Sequence, residues 1–266
     1  MPKAKRAADA ARLRREVARS VDAPPSLVPY FEQLFAGMPS LGSSPRRLAN
    51  TLKTAGVEHG ARVLDLACGK GAIAVELAHR LNCSVTAVDA CPAFLEEGRR
   101  RAASAGVADR VRFIESDVRV FAGATARSRR RWDVALMIGL LAIDEAAPML
   151  RTLVRPRGIY AIDDVFRDDK LTYRRSEFLS IPTKAQCREI IEASGDRLIA
   201  ADVTSPSRLR ALNDSLYKRL AENARALRAS TPSLARDLQA FLSNQRHANR
   251  FLGGQLRPAI WITQRT

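Results

Sequence analysis

Between residues 62 and 164 short apolar runs alternate with helical stretches, and this alternation restricts the fold more than any other feature. The runs are Arg62–Leu66, Ser84–Val88, Val111–Ile114, Trp132–Ile138 and Gly158–Ile162. They show little polar alternation, as expected of strands covered on both faces of a parallel sheet. Strand and helix in strict turn argue for a doubly wound α/β fold. Arg197–Val203 and Pro258–Thr263 add two strand-like runs. The second follows a long helical excursion, so an antiparallel strand at the sheet edge is expected. The expectation is therefore an α/β, mostly parallel, seven-stranded sheet with helical additions at both ends.

The punctuation divides the remainder. Ser44–Pro45 opens a helix that Gly56 closes, with Leu48 and Leu52 on its inner face. Thr183 and Gln186 have capping-box spacing before a helix ended by Gly195. Ser205–Pro206 and Thr231–Pro232 start two further helices, striped by Leu209, Leu212, Leu216, Leu220 and Leu227 and by Leu234, Leu238, Phe241 and Leu242. Four segments result: 1–56, a basic leader and helical cover; 57–204, the α/β core; 205–257, a helical insertion; and 258–266, the final edge strand. The leucine stripes suit a cover over a substrate site or a homodimer interface.

Composition narrows the class. The apolar run Ala135–Ile143, broken by Gly139, falls well short of the ~20 residues of a membrane span. Cys68, Cys83, Cys91 and Cys187 form no CxxC pair and have no histidine at ligand spacing, so no metal site is expected. Free thiols and the lack of a secretory hydrophobic segment point to the cytoplasm. The net charge of +16 comes almost wholly from arginine, which raises nucleic acid as a partner. No aromatic residues interleave with the arginine clusters as base stacking would require, so arginines scattered over solvated helix faces are the preferred reading.

The chemistry is concentrated in Val63-Leu-Asp-Leu-Ala-Cys-Gly-Lys-Gly-Ala-Ile-Ala74, a strand running through a glycine turn into a helix. Gly69 and Gly71 let the backbone approach a ligand closely. Taken alone, the spacing also satisfies the dinucleotide fingerprint, with Asp89 about 20 residues on to hold a ribose. Charge separates the two readings. A pyrophosphate on this turn would face Asp65, and two like charges ~4 Å apart repel by about 4 kcal/mol at an effective dielectric of ~20. The sulfonium and ammonium of S-adenosylmethionine would instead be attracted.

Here the chain resembles the class I (Rossmann-like) S-adenosylmethionine-dependent methyltransferases. Asp65-Leu-Ala-Cys-Gly-Lys-Gly71 resembles their first motif, with Ala67 in place of the first glycine. Val88-Asp89-Ala90, Glu115-Ser-Asp117-Val118 and Trp132–Ile138 resemble the second, third and fourth strands. Leu153-Val-Arg-Pro-Arg157-Gly158 is similar to the turn before the fifth, with Arg157 replacing a glycine. The resemblance covers residues 60–164. It implies S-adenosylmethionine as cofactor, held by Asp65, Ala67, Gly69, Gly71, Asp89, Ala90, Asp117, Val118 and Ile138. Methyl transfer to a small organic acceptor is the first functional expectation, with an RNA-directed methyltransferase or RNA-binding protein on the same fold as the alternative. A nicotinamide-dependent oxidoreductase remains the minor alternative that the glycine spacing permits.

Methyl transfer needs a base only where the acceptor must lose a proton. Asp163 and Asp164, expected at the end of strand five, and Asp144, after strand four, are the first choices. Tyr173 and His247 follow. His59 precedes the first strand and His79 follows the glycine loop on its helix. No Asn-Pro-Pro-Tyr or Pro-Cys follows strand four, which disfavours exocyclic-amine and cytosine chemistry. The cluster at Arg127 and Arg129–Arg131 precedes strand four, at the far end of the sheet from a cofactor.

Overall fold

The computed structural model describes residues 3–38, 40–128, 130–168, 178–252 and 256–266. Helices α1 (Lys3–Arg19), α2 (Phe31–Leu34) and α3 (Pro45–Thr54) precede β1 (Arg62–Leu66). Next come α4 (Ala72–Leu81), β2 (Ser84–Asp89), α5 (Pro92–Ser104), β3 (Val111–Glu115), α6 (Val118–Ser128) and β4 (Trp132–Ile138). The chain continues through α7 (Ile143–Leu153), β5 (Val154–Arg167), α8 (Lys184–Glu192) and β6 (Arg197–Val203). It ends with α9 (Pro206–Ser230), α10 (Ala235–Phe251) and β7 (Leu256–Gln264).

Two compact units are present: residues 40–206 with 252–266, and residues 1–39 with 207–251. The first holds one seven-stranded sheet of order β3-β2-β1-β4-β5-β7-β6. β1 pairs in parallel with β2 and β4, β2 with β3, and β4 with β5. β7 is antiparallel to both β5 and β6. The antiparallel direction matches the sequence reading, but the edge position does not, because β7 is inserted and β6 lies outermost. The reason is burial: Ala259, Ile260, Trp261 and Ile262 are all buried, and so apolar a strand is stable between two neighbours rather than at an edge.

Period-two alternation assigns each strand residue to one of two cores. Val63 on β1 with Val134 and Leu136 on β4 face a core shared with Leu48 and Leu52 of α3 and with α4. Leu64 and Leu66, with Ala135 and Met137, face the opposite core with Ile143, Ala147 and Leu150 of α7. Helix α3 thus belongs to the α/β unit, although the sequence reading grouped it with the leader. Ser44 caps it by accepting from the Arg47 N–H, and the predicted Thr183–Gln186 capping box forms on α8.

Strand β5 runs from Val154 to Arg167, well beyond the expected Gly158–Ile162. Beyond Ile162 it is β7 that prolongs the strand, pairing through to Arg167↔Leu256, while its early start comes from the pairing of Val154 with Trp132 of β4. Arg157 is left-handed at φ 61°, so it takes the conformation of the glycine it replaces rather than a relaxed solvent-facing turn.

In the second unit Phe35 packs edge-on against Phe31 and Phe241, at centroid distances of 5.1 and 6.1 Å. The Asn223 amide donates to the carbonyls of Leu34 and Ala36 at 3.0 and 2.9 Å. Leu209, Leu220 and Leu227 are buried, whereas Leu212 and Leu216 are only partly covered, a narrower stripe than the sequence implied. Thr231–Pro232 opens a 3-10 turn through Leu234, and α10 starts after it. Among the described residues no helix is long and apolar enough to cross a membrane.

Candidate active site

The strand order reverses between β1 and β4, because β1 leads outward to β2 on one side and β4 leads outward to β5 on the other. Open α/β sheets bind ligands in the crevice at such a point, beyond the carboxyl ends of the strands. The residues gathered there are those of the glycine loop, the end of β2, and the ends of β4 and β5.

The loop is built by unusual backbone. Ala67, Gly69 and Gly71 all lie in the left-handed region, at φ 59°, 53° and 68°. Ala67 pays a small conformational cost that a glycine would avoid. A turn bond from the Gly71 N–H to the Cys68 carbonyl at 2.9 Å closes the loop. The Gly69 N–H donates to Asp89 Oδ2 at 2.7 Å, and the Cys91 N–H to Asp89 Oδ1 at 2.9 Å. Asp89 therefore ties the end of β2 to the loop after β1. Gly71 has a separate reason to be glycine. A Cβ there would lie 2.7 Å from the Phe113 ring, which also presses on Gly98 of α5.

Asp65 is 1% exposed, and among the described residues neither of its carboxylate oxygens has a hydrogen-bond partner. Burial, and then the charge of Asp89, push its carboxyl up to about 7. Burial likewise raises Asp89, though the N–H groups of Cys91 and Gly69 pull it back. The Cys68 thiol is held well above its ordinary value by burial and by the same two acids. A buried acid without partners is costly, and a cationic group beside it would offset that cost. Asp65 does not serve as an acceptor for the turn amides. The arrangement fits S-adenosylmethionine and opposes a pyrophosphate.

The other expected positions divide. Asp117 Oδ1 accepts from the Arg119 and Val120 N–H groups at 2.8 and 3.2 Å, capping α6. Ala90 is half-buried, Val118 is buried at the start of α6, and Ile138 is half-buried at the end of β4. Asp163 and Asp164 do not end β5 but lie within it, facing opposite sides. The Ile143 N–H at the start of α7 donates to Asp164 Oδ2 at 2.8 Å, so Asp164 caps that helix. Asp144 is exposed in the first turn of α7. Asp163 accepts a hydrogen bond from the Ser43 hydroxyl. Tyr173 lies outside the described residues. His247 stands on α10 with its ring 4.8 Å from that of Phe251.

Two polar contacts beside the loop and β5 were not expected from the sequence. Lys70, between the loop glycines, is 2% exposed, with its Nζ 2.7 Å from Glu97 of α5. Burial lowers its ammonium and the Glu97 partner opposes that shift. Its place inside the motif was the available signal. Ser43 carries no pattern of its own, and only the fold brings it to Asp163. Among the described residues no group of His, Cys, Asp or Glu is arranged to hold a metal ion.

A seven-stranded sheet with one antiparallel strand, a glycine loop after β1 and an acid closing β2 is the class I methyltransferase fold. Residues 63–158 match the methyltransferase domain family, so this stretch of the chain is similar to a methyltransferase domain. Methyltransferase GfsG of Streptomyces halstedii is 29% identical over 163 residues, covering 57% of this chain and 59% of the relative. The chain thus matches less than two thirds of that relative's length. A methyltransferase structure from Thiobacillus denitrificans in complex with S-adenosylhomocysteine superposes with a TM-score of 0.73 at 20% identity, covering 89% of this chain and 98% of that one. Another such complex, from Geobacter sulfurreducens, gives 0.72 at 19% identity, covering 89% and 97%.

Proposed function

We propose that this chain transfers the methyl group of S-adenosylmethionine to a small organic acceptor. The observation that carries this reading is the buried Asp65 carboxylate, both of its oxygens unpartnered among the described residues, at the end of β1 beside the glycine loop. When bound, the cofactor supplies a methyl group on a sulfonium, already electrophilic. In this reading Asp65 supplies the negative charge that selects a cationic ligand over a phosphate. Asp89 accepts from ribose hydroxyls while its amide bonds hold it in place. Gly69 and Ala67 lend backbone, and Ala90, Asp117, Val118 and Ile138 flank the adenine and the methyl-bearing end. Positioning and water exclusion then do most of the work of an in-line displacement.

Charge at the two ends of the sheet favours a small acceptor over nucleic acid. The carboxyl-terminal side carries Glu115, Asp117, Asp144, Glu145, Asp163 and Asp164 against Lys70, Arg119 and Arg167, of which Lys70 and Arg119 are already paired with Glu97 and Glu145, whereas Arg62, Arg130, Arg131, Arg155 and Arg157 lie at the amino ends. A polyanion would meet acids where the methyl group is delivered. Many remaining arginines pair along their own helices, as Arg80 does with Glu76, Arg101 with Glu97 and Arg188 with Glu192, which is how solvated helix faces behave. Thermal shift with S-adenosylhomocysteine beside NADH tests the cofactor, since ligand at 100 times its Kd stabilises by about 2.7 kcal/mol. Stabilisation by NADH alone overturns the reading. A metabolite screen with labelled methyl donor tests the acceptor.

A further inference from the structure

We propose that Ser43 and Asp163 form a proton-accepting pair, and that the acceptor therefore reacts through an oxygen or nitrogen that carries a proton. The proposal rests on the methyltransferase reading and narrows it to one class of acceptor.

The alternation of β5 separates the two adjacent acids. Asp164 faces the α7 side and is committed to the Ile143 N–H. Asp163 faces the α3 side, where the Ser43 hydroxyl donates to its Oδ2. No hydrogen bond to Oδ1 is seen among the described residues. Along the sheet its register neighbours are Ile138 of β4 and Ile260 of β7, so apolar side chains flank it on both sides. The charged groups near it are Arg47 of α3 and Asp164. Burial lifts its carboxyl to about 6 against the Ser43 hydrogen bond. It is thus ionised at neutral pH yet more basic than an ordinary aspartate.

Ser43 is held there by a second layer. Arg47, one turn into α3, makes a two-pronged ion pair with Asp202 of β6, and also donates to Thr204 Oγ1 at 2.8 Å and to the Val203 carbonyl at 3.0 Å. The single Thr51 hydroxyl proton is shared between the Arg47 carbonyl at 3.0 Å and the same Asp202 at 3.2 Å. This clamp fixes the start of α3 against the sheet edge and with it the Ser43 hydroxyl. Such backing is what a precisely placed polar group requires.

The step balances without a further reactant. The acceptor's oxygen or nitrogen lone pair forms a bond to the methyl carbon, and the carbon–sulfur bond breaks with its electron pair on sulfur. The acceptor's proton passes to Asp163 Oδ1 and from there to solvent.

Two measurements test the proposal. In protein labelled with 13C-aspartate, the Asp163 carboxyl, assigned by its loss in Asp163→Asn, should titrate near 6. In Ser43→Ala its inflection should move up, because a donor to the ionised form is gone. A titration in the ordinary aspartate range, or one unmoved by Ser43→Ala, overturns the pair. Turnover is then followed with labelled methyl donor on matched probes: simple phenols, alcohols and secondary amines against tertiary amines and thioethers. The expected result is turnover on protic probes only, reduced at least 100-fold in Asp163→Asn and partly restored in Asp163→Glu. Its pH profile should rise through about 6. Turnover confined to the aprotic probes, silence on every protic probe, or an Asp163→Asn variant as active as the parent overturns it. Calorimetric titration with S-adenosylhomocysteine separates the two readings. Failure of the parent protein to bind it defeats the methyltransferase reading, whereas binding combined with aprotic preference defeats this proposal alone.

Discussion

Asp65→Asn should stabilise the ligand-free protein and cripple cofactor binding, a combination that only a functional buried charge produces. The carboxyl rises from 3.8 to about 7 on folding, and at about 1.36 kcal/mol per pH unit this is a cost on the order of 4 kcal/mol once the group is ionised. Between pH 4 and 7 the folded chain keeps a proton that the unfolded chain has released. Stability therefore falls as pH rises through that window, and the full cost stands above 7. Asparagine removes the charge but leaves a buried amide whose unmade hydrogen bonds cost roughly 1–3 kcal/mol. The net gain at pH 8 is then about 1–3 kcal/mol, or a Tm higher by roughly 2–10 °C for a chain of this size. At pH 5, where parent and variant are both neutral at this position, the gap should close or reverse. Calorimetric melts of both proteins at the two pH values measure it. Titration with S-adenosylhomocysteine should show at least 100-fold weaker binding by the variant. A Tm gap independent of pH, or binding equal to the parent's, would refute the argument that Asp65 is a buried charge awaiting a cation.

Other substitutions probe the frame around that charge. Asp89→Ala removes the acceptor of the Gly69 and Cys91 N–H groups and should weaken S-adenosylhomocysteine binding by at least tenfold, at about 1.5–3 kcal/mol per bond to a charged group; unchanged affinity by calorimetry would show that β2 does not hold the ribose. Gly98→Ala puts a Cβ 2.6 Å from the Phe113 ring and should cost about 1–3 kcal/mol in urea denaturation, with part recovered in the double variant with Phe113→Leu. Arg157→Gly should gain about 0.5–1 kcal/mol by relieving the left-handed residue at φ 61°, the relief of ~1–2 kcal/mol being offset by glycine's unfolded-state entropy. Arg157→Ala keeps the strained Cβ and should gain nothing in the same denaturation series.

The sheet was legible because parallel strands have to be apolar on both faces. β1, β4 and β6 fall on the residues expected, and β2 and β3 extend by one residue each. The errors share a physical origin in long-range pairing. Nothing local to Asp163 or Arg167 says that β5 continues, since the partner that prolongs it is β7, about 100 residues away in sequence. Nor does the sequence of β7 state that another strand will cover its outer side. The spacing of the glycine loop and Asp89 is visible in the sequence, and the structure ties the two together through the Gly69 N–H. The contacts of Lys70 and Ser43 are not visible there, because their partners Glu97 and Asp163 come from other elements.

Asp163 and Asp164 show how much the backbone adds to an adjacent pair of identical residues. As sequence they are equivalent candidates, and both reside inside the carboxyl-terminal half of the same strand. Pleating sends them to opposite faces, and the faces differ in what they offer. On the α7 side a helix begins beside the strand, and its first N–H groups lack intrahelical partners, so an acid there is absorbed as a cap at Ile143. On the α3 side the nearest donor is a serine hydroxyl, which satisfies one oxygen and supplies no charge. The second acid is thus consumed by architecture, while the first retains basicity. Exchanging their surroundings would exchange their chemistry. For that reason Asp164→Asn should act chiefly on stability, through the α7 cap, by about 0.5–2 kcal/mol, whereas Asp163→Asn should act chiefly on turnover. If melts and labelled-methyl rates of the two variants gave the opposite assignment, the division of the pair by strand alternation would be wrong.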